Sequence, residues 1–323
     1  MRNFSIRLLP ALVAASLLAA CSGGGGIAPG VPTTPTSNQA APGDFRPTSA
    51  YRAVGDAGQP IAYFAPNDGL WITRDGRSYR TTAASSSNLI YGSGPVQTAP
   101  KVYVVYWGSA WNGSSGDPDG MKTYLNNFLS HVGGTTWNAT VTQYYQTNPS
   151  GYAGNPSGEF VGSYVDTTSS PAKRPSQSAM AAEAARAEAH FGDHSANAQY
   201  VVAMPHGIVP SGFKTQYCAY HSTTGAGGGT ISWTNLPYLP DAGAACGAAS
   251  VTSSKLDGVS IVEGHEMAES ETDPQLGAWL DSSGEEIGDK CAWVNLQDTS
   301  LNGTSFPTQP LWSNATSSCV QSY

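Results

Sequence analysis

Lys101-Val102-Tyr103-Val104-Val105-Tyr106-Trp107-Gly108 is an unbroken run of β-branched and aromatic residues closed by a glycine. A run without polar alternation is expected of a strand buried on both faces, in the middle of a sheet. Downstream, Asp117-Pro118 opens a helix. Met121, Tyr124, Leu125, Phe128, Leu129 and Val132 follow at helical spacing, and Gly133-Gly134 ends it. A second helix is expected over 177–191, rich in Ala with Glu and Arg on its polar side and closed by Gly192. Tyr200-Val201-Val202-Ala203-Met204 and Thr230-Ile231-Ser232-Trp233 read as further strands. Asp257-Gly258 leads into a third helix from about 259 to 271, stopped by Pro274. This alternation predicts an α/β (or α+β) layered single domain, with a mixed sheet and flanking helices, over 98–323. About 220 residues suffice for one sizeable core.

The segments before it have other characters. Arg2 and Arg7 precede a short apolar run over 8–20, the anatomy of a signal peptide covering 1–20. Leu18-Ala19-Ala20-Cys21 resembles a bacterial lipobox, in which Cys21 is lipidated and becomes the first mature residue. Residues 21–44 are Gly, Pro, Ser and Thr with almost no large apolar side chain, as in a flexible tether. Residues 45–97 carry short apolar runs broken by Gly, Asp and Asn: Ile61-Ala62-Tyr63-Phe64, Leu70-Trp71-Ile72-Thr73 and Leu89-Ile90-Tyr91. They predict a short β segment, as a small layer or wrapped on the main domain. No later stretch is apolar for long enough to span a bilayer. The expectation is therefore export, with attachment to the cell envelope by the lipid only.

Charge and cysteines agree with export. The chain has 15 basic and 23 acidic side chains. Loss of Arg2 and Arg7 with the signal leaves 13 basic and 23 acidic, a formal charge of −10. So acidic a surface argues against nucleic acid as a partner. Beyond Cys21 there are four cysteines, Cys218, Cys246, Cys291 and Cys319, an even number that predicts two disulfides in any of three pairings. With those bridged no thiol is left as a nucleophile. There is also no G-x-S-x-G elbow and no Walker-type phosphate loop.

The chemistry concentrates in Gly264-His265-Glu266-Met267-Ala268-Glu269, followed by Thr272-Asp273-Pro274. On a helix His265 and Glu269 are one turn apart and share a face, so an imidazole and a carboxylate can grip one metal ion. Glu266 is then placed as general base toward the water that the metal activates. The pattern H-E-x-x-E differs from the zincin signature H-E-x-x-H by one residue, Glu269. Val259, Val262 and His265 lie on one stripe with Glu269 below, which carries the ionisable end toward the interior. The alternative is a core helix with a hydrogen-bonded His and acids facing water. The third ligand is expected from Asp289, with Glu286 a weaker candidate, in a stretch over 279–289 that reads as a hairpin ending at Cys291. Asp273, His206 in Pro205-His206-Gly207 and His221 in Tyr217-Cys218-Ala219-Tyr220-His221 are weaker candidates, Asp273 being equally suited to capping its turn. Zinc is the expected ion. One imidazole and two carboxylates make a more oxygen-rich set, which also suits calcium or manganese.

The strand 101–108, the segment 217–221, Asp257-Gly258-Val259-Ser260 leading into the third helix and a later Cys occur in the order that resembles the phosphate-induced protein 1 / exordium family. The resemblance covers about 100–320. It implies an extracellular, cell-wall-associated binding role with no settled enzymatic activity. Plant members lack H-E-x-x-E at the equivalent helix, so this chain resembles a bacterial relative that keeps the acid–His set. Two functions follow as expectations: a zinc-dependent, peptidase-like hydrolase acting on a peptide or surface polymer, or a non-catalytic cell-surface binding protein.

Overall fold

The apolar run at 101 forms β1 (Lys101–Trp107), with every residue after Lys101 buried. The computed structural model describes residues 87–323, together with the backbone of a two-residue ladder, Ala53–Val54 against Pro60–Ile61. The expected signal with Cys21, the tether, and most of the 45–97 segment lie outside the described residues. Ile90–Tyr91 pairs antiparallel with Trp279–Leu280, so the chain joins the main domain ahead of residue 98. That pairing corrects the expected hairpin over 279–289. Trp279–Leu280 pairs with Ile90–Tyr91, and the residues after it form a loop that ends in a short 3-10 turn, Asp289–Cys291.

Four more strands complete a five-stranded sheet: β2 (Phe160–Asp166), β3 (Ala198–Ala203), β4 (Tyr220–Ala226) and β5 (Gly229–Leu236). Their order is β2-β1-β3-β5-β4. All neighbours are parallel except β4, which runs antiparallel to β5 at the edge. β4 and β5 are joined by Gly227-Gly228, with φ of 54° and 85°. Two successive left-handed residues define the tight hairpin turn that matches strand twist.

Three helices cover the sheet: α1 (Met121–Val132), α2 (Gln177–Phe191) and α3 (Asp257–Thr272). The Asp117 carboxylate accepts from the N–H groups of Met121 and Lys122 at 2.7 and 3.2 Å, which starts α1 as the Asp-Pro signal implied. Ser176 Oγ caps α2 by accepting from Ala179 N–H, and Gly192 ends it at φ 70°. Strand alternation assigns the faces. Tyr103 pairs with Tyr200, Tyr200 with Trp233, and Tyr103 packs on Phe191 of α2. On the other face Tyr106 donates to the Lys122 carbonyl of α1, and Ser232 Oγ donates to Ser270 Oγ of α3. The result is one α/β/α layered domain.

Two late ladders were not anticipated: Gln297–Leu301 with Thr304–Thr308, and Leu311–Ser313 with Ser318–Val320. The first packs on α3 and α1, where Phe306 meets Tyr124 and Phe128 edge-on at 5.7 and 5.5 Å. Enclosed this way, α3 is buried along its whole length, acids included. This rules out the alternative in which its acids face water.

The two bridges are Cys218–Cys246 and Cys291–Cys319. The first sits beside the start of α3, where a side chain on Gly258 would run into the Cys246 carbonyl. Peptide mapping under non-reducing conditions is expected to recover these two pairs and no free thiol at Cys218, Cys246, Cys291 or Cys319. Replacing Cys291 and Cys319 together by Ser is expected to lower stability by about 2–4 kcal/mol in denaturant titration. Crossed pairs, or an unchanged midpoint, would contradict the assignment.

Candidate metal centre

The C-terminal half of α3 lies against β5 and β4, with Ser270 on Ser232 of β5 and Glu266 and Glu269 beside His221 of β4. The sheet face below it is polar: Gln199, Ser232, Thr234 and His221 are all buried. His221 pairs directly with Thr234, so the two side chains share that face. Such a sheet face gives up apolar contact with the helix, and the polar atoms on both sides need another partner.

His265 and Glu269 meet as their spacing implied, with His265 Nε2 2.8 Å from Glu269 Oε1. Asp289 Oδ1 lies 3.8 Å from the same nitrogen. Together His265, Glu269 and Asp289 offer three ligand atoms within 4.8 Å of one another. Donors about 2.0–2.3 Å from a shared ion lie about 3.0–3.8 Å apart for tetrahedral or octahedral angles, so Asp289 stands at the upper end of the spacing for a small divalent cation and Glu269 just below its lower end. The Asp289 N–H also donates to Glu269 Oε1 at 3.1 Å, and Asp289 Oδ2 accepts from Glu286 N–H.

His221, a weaker candidate from sequence, joins the cluster. Its Nδ1 is 3.3 Å from Glu269 Oε2 and 3.6 Å from Glu266 Oε2, and its Nε2 is 3.5 Å from Glu286 Oε1. Neither nitrogen of His221 and neither oxygen of Glu266 makes a hydrogen bond to protein, and the same holds for Glu269 Oε2 and Glu286 Oε1. Buried polar atoms left in this state cost about 1–3 kcal/mol each, more if charged, unless something else occupies the space between them.

The other two candidates resolve differently. Asp273 caps its turn, accepting from Gly277 and Ala278 N–H at 2.6 and 2.7 Å through Oδ1. His206 stands apart from α3: it is half-exposed and paired with Asp241, which corrects its place among the ligands. Glu271 also turns away, against Glu159 and Asn138.

Electrostatics reflect the crowding. Burial alone would raise the Glu269 carboxyl, but the imidazoles of His265 and His221 pull it down to about 2. Burial pushes the Glu266 carboxyl up despite both imidazoles, and pushes Glu286 well up despite His221. For His221 burial would lower the pKa, yet Glu286, Glu266 and Glu269 hold it well above the usual imidazole range. Asp273 rises to about 6 through burial.

The ligand loop is pinned from below. Lys290 Nζ reaches Asp281 Oδ2 at 3.1 Å, with both side chains fully buried, and lies 4.2 Å over the Trp312 ring. Asp281 Oδ1 accepts from Ser283 and Glu285 N–H, and Trp312 N–H donates to the Ile287 carbonyl. Gln309, not anticipated from sequence, donates through Nε2 to the Gly288 carbonyl at 2.9 Å and lies 3.0 Å from His265 Nδ1. With Nε2 the donor, His265 Nδ1 accepts; an Nδ1–H, the tautomer that frees Nε2 for a cation, requires the amide turned over and gives up the bond to the Gly288 carbonyl.

No protein-family model, curated protein or solved structure matches the chain.

Gly288 lies against the edge of the His265 ring, where an added Cβ would overlap Nδ1 and its neighbours. Its φ of −81° suits any residue, so Gly288→Ala acts by contact alone. The substitution is expected to displace the imidazole and weaken zinc affinity about 10–100-fold, the range for disturbed support of a ligand, with the fold retained. Competition with a chromophoric chelator measures it, and unchanged affinity would remove His265 from the site.

Proposed function

We propose that this chain is an exported lipoprotein carrying a metal-dependent, peptidase-like hydrolase site. The observation that carries the proposal is the buried His265–Glu269–Asp289 set, with the unbonded Glu266 carboxylate beside it. The donors fit zinc, with manganese or calcium also suited to an oxygen-rich set. A bound divalent ion would supply Lewis acidity, polarising a substrate carbonyl and making water a better nucleophile. Glu266 would accept the proton leaving the attacking water and return it to the departing amine. Gln309 and Gly288 would hold the His265 ring in orientation, and the Lys290–Asp281 pair would hold the loop that carries Asp289 and Glu286. The substrate fits a peptide or another amide in a cell-surface polymer.

A second reading has one observation in its favour. The cluster is covered, and of its members Asp289 alone has a side chain more than a tenth exposed, at 12 %. A closed site suits a structural ion in a non-catalytic, exordium-like surface-binding protein.

The variants separate the readings. His265→Ala is expected to abolish metal binding, measured by elemental analysis. Glu266→Gln is expected to keep the ion on His265, Glu269 and Asp289 and lose hydrolysis of a peptide library by at least about 100-fold. Metal present with no hydrolysis in wild type would favour the structural ion, and no metal after zinc, manganese and calcium loading would overturn both. For export, Cys21→Ser is expected to release the protein from the membrane fraction; unchanged fractionation would contradict the lipid anchor.

A further inference from the structure

The two oxygens of Glu269 face different imidazoles. Oε1 faces His265, and Oε2 lies 3.3 Å from His221 Nδ1. On the His221 side Glu266 Oε2 completes a second triad, His221, Glu266 and Glu269, whose ligand atoms also lie within 4.8 Å of one another. The two triads share Glu269 and no other residue.

Spacing separates this triad from a hydrogen-bonded pair, which it does not do for His265 and Glu269 at 2.8 Å. A charge-assisted N–H···O bond is about 2.7–2.9 Å long. The His221 contacts to Glu269 and Glu266, at 3.3 and 3.6 Å, are too long for that. They match the separation of about 3.0–3.8 Å between donors on one small divalent cation. His221 and Glu266 are 1 % and 0 % exposed, and none of their polar side-chain atoms is hydrogen-bonded within the protein. Behind the His221 ring, Glu286 Oε1 stands 3.5 Å from Nε2. That distance is too long for a hydrogen bond, but Glu286 is the group placed to take up an Nε2–H once Nδ1 ligates, the usual support of a metal-bound histidine. Glu266, Glu269, Glu286 and Asp289 crowd two imidazoles in the interior, so carboxylate oxygens outnumber the ring nitrogens that face them.

We propose that the cluster holds two divalent cations bridged by Glu269. One sits on His265 and Asp289, the other on His221 Nδ1 and Glu266 Oε2, with Glu286 supporting the His221 ring. Carboxylate-bridged pairs of this kind lie about 3.5–4 Å apart and can clamp both oxygens of a reacting group. Glu266 then ligates through Oε2 and keeps Oε1 for the proton. This inference rests on the first site, because Glu269 belongs to both.

The detergent-solubilised full chain, stripped with chelator and reloaded with zinc, is expected to retain two equivalents after dialysis, counted by mass spectrometry. His221→Gln should retain one. Reloading with manganese should give the paramagnetic resonance spectrum of an exchange-coupled pair in wild type and of an isolated ion in His221→Gln. One equivalent in wild type with an uncoupled spectrum overturns the second ion and leaves the first site standing. Two equivalents still bound to His221→Gln also overturn it, since His221 would then be no ligand. No bound metal ends both. If His221→Gln does not fold, the wild-type count and the wild-type manganese spectrum decide the matter.

Discussion

A carboxylate held between two imidazoles in the protein interior is the constraint on which the rest depends. Glu269 makes contacts of 2.8 and 3.3 Å to His265 and His221, and all three side chains are buried. Charge in that position costs several kcal/mol per ion unless it is compensated. The surrounding architecture follows from enclosing it. α3 is covered on every side, the sheet beneath it is polar, and the loop after it returns so that Asp289 and Glu286 face the two histidines. A buried lysine clamp and the Cys291–Cys319 bridge secure that loop at both ends.

Much of the frame was legible before the structure. The run at 101–107 has only one use, and α1 and α2 carry boundary signals in Asp117 and Gly192, whereas the Ser176 cap is seen only in the structure. His265, Glu269 and Asp289 were readable because two sit a helical turn apart and the third precedes a cysteine. β2 and β4 were not legible, because Gly162-Ser163 breaks the apolar run in Phe160–Asp166, and Tyr220–Ala226 is mostly His, Ser, Thr and Gly. One signal was available: Gly227-Gly228 between two β-capable runs marks a hairpin, and that hairpin brings His221 onto the sheet. Gln309 carried no signal, since its role depends on the late ladders folding over α3. The stretch 279–289 read as a hairpin because its turn residues are real; its strand partner, Ile90–Tyr91, lies nearly 190 residues earlier.

The balance of function against stability is visible along α3. A helix in this position would be more stable with Leu or Ile at 263, 266 and 269, packed on an apolar sheet face. Glu263 shows the cost plainly: it is fully buried, neither oxygen is hydrogen-bonded, and burial pushes its pKa well up. Where local rules of packing fail together over one patch, a functional site is the usual cause. Here the failure spans β3, β4, β5, α3 and the ligand loop, and it converges on Glu269.

Crystals grown with zinc and measured on either side of the zinc absorption edge test the central claim most directly. The expected result is anomalous density beside Glu269, about 2.0–2.2 Å from His265 Nε2 and bounded by Asp289. Crystals with no anomalous density among His265, Glu269 and His221, and with those side chains hydrogen-bonded to one another or to ordered water, would contradict it.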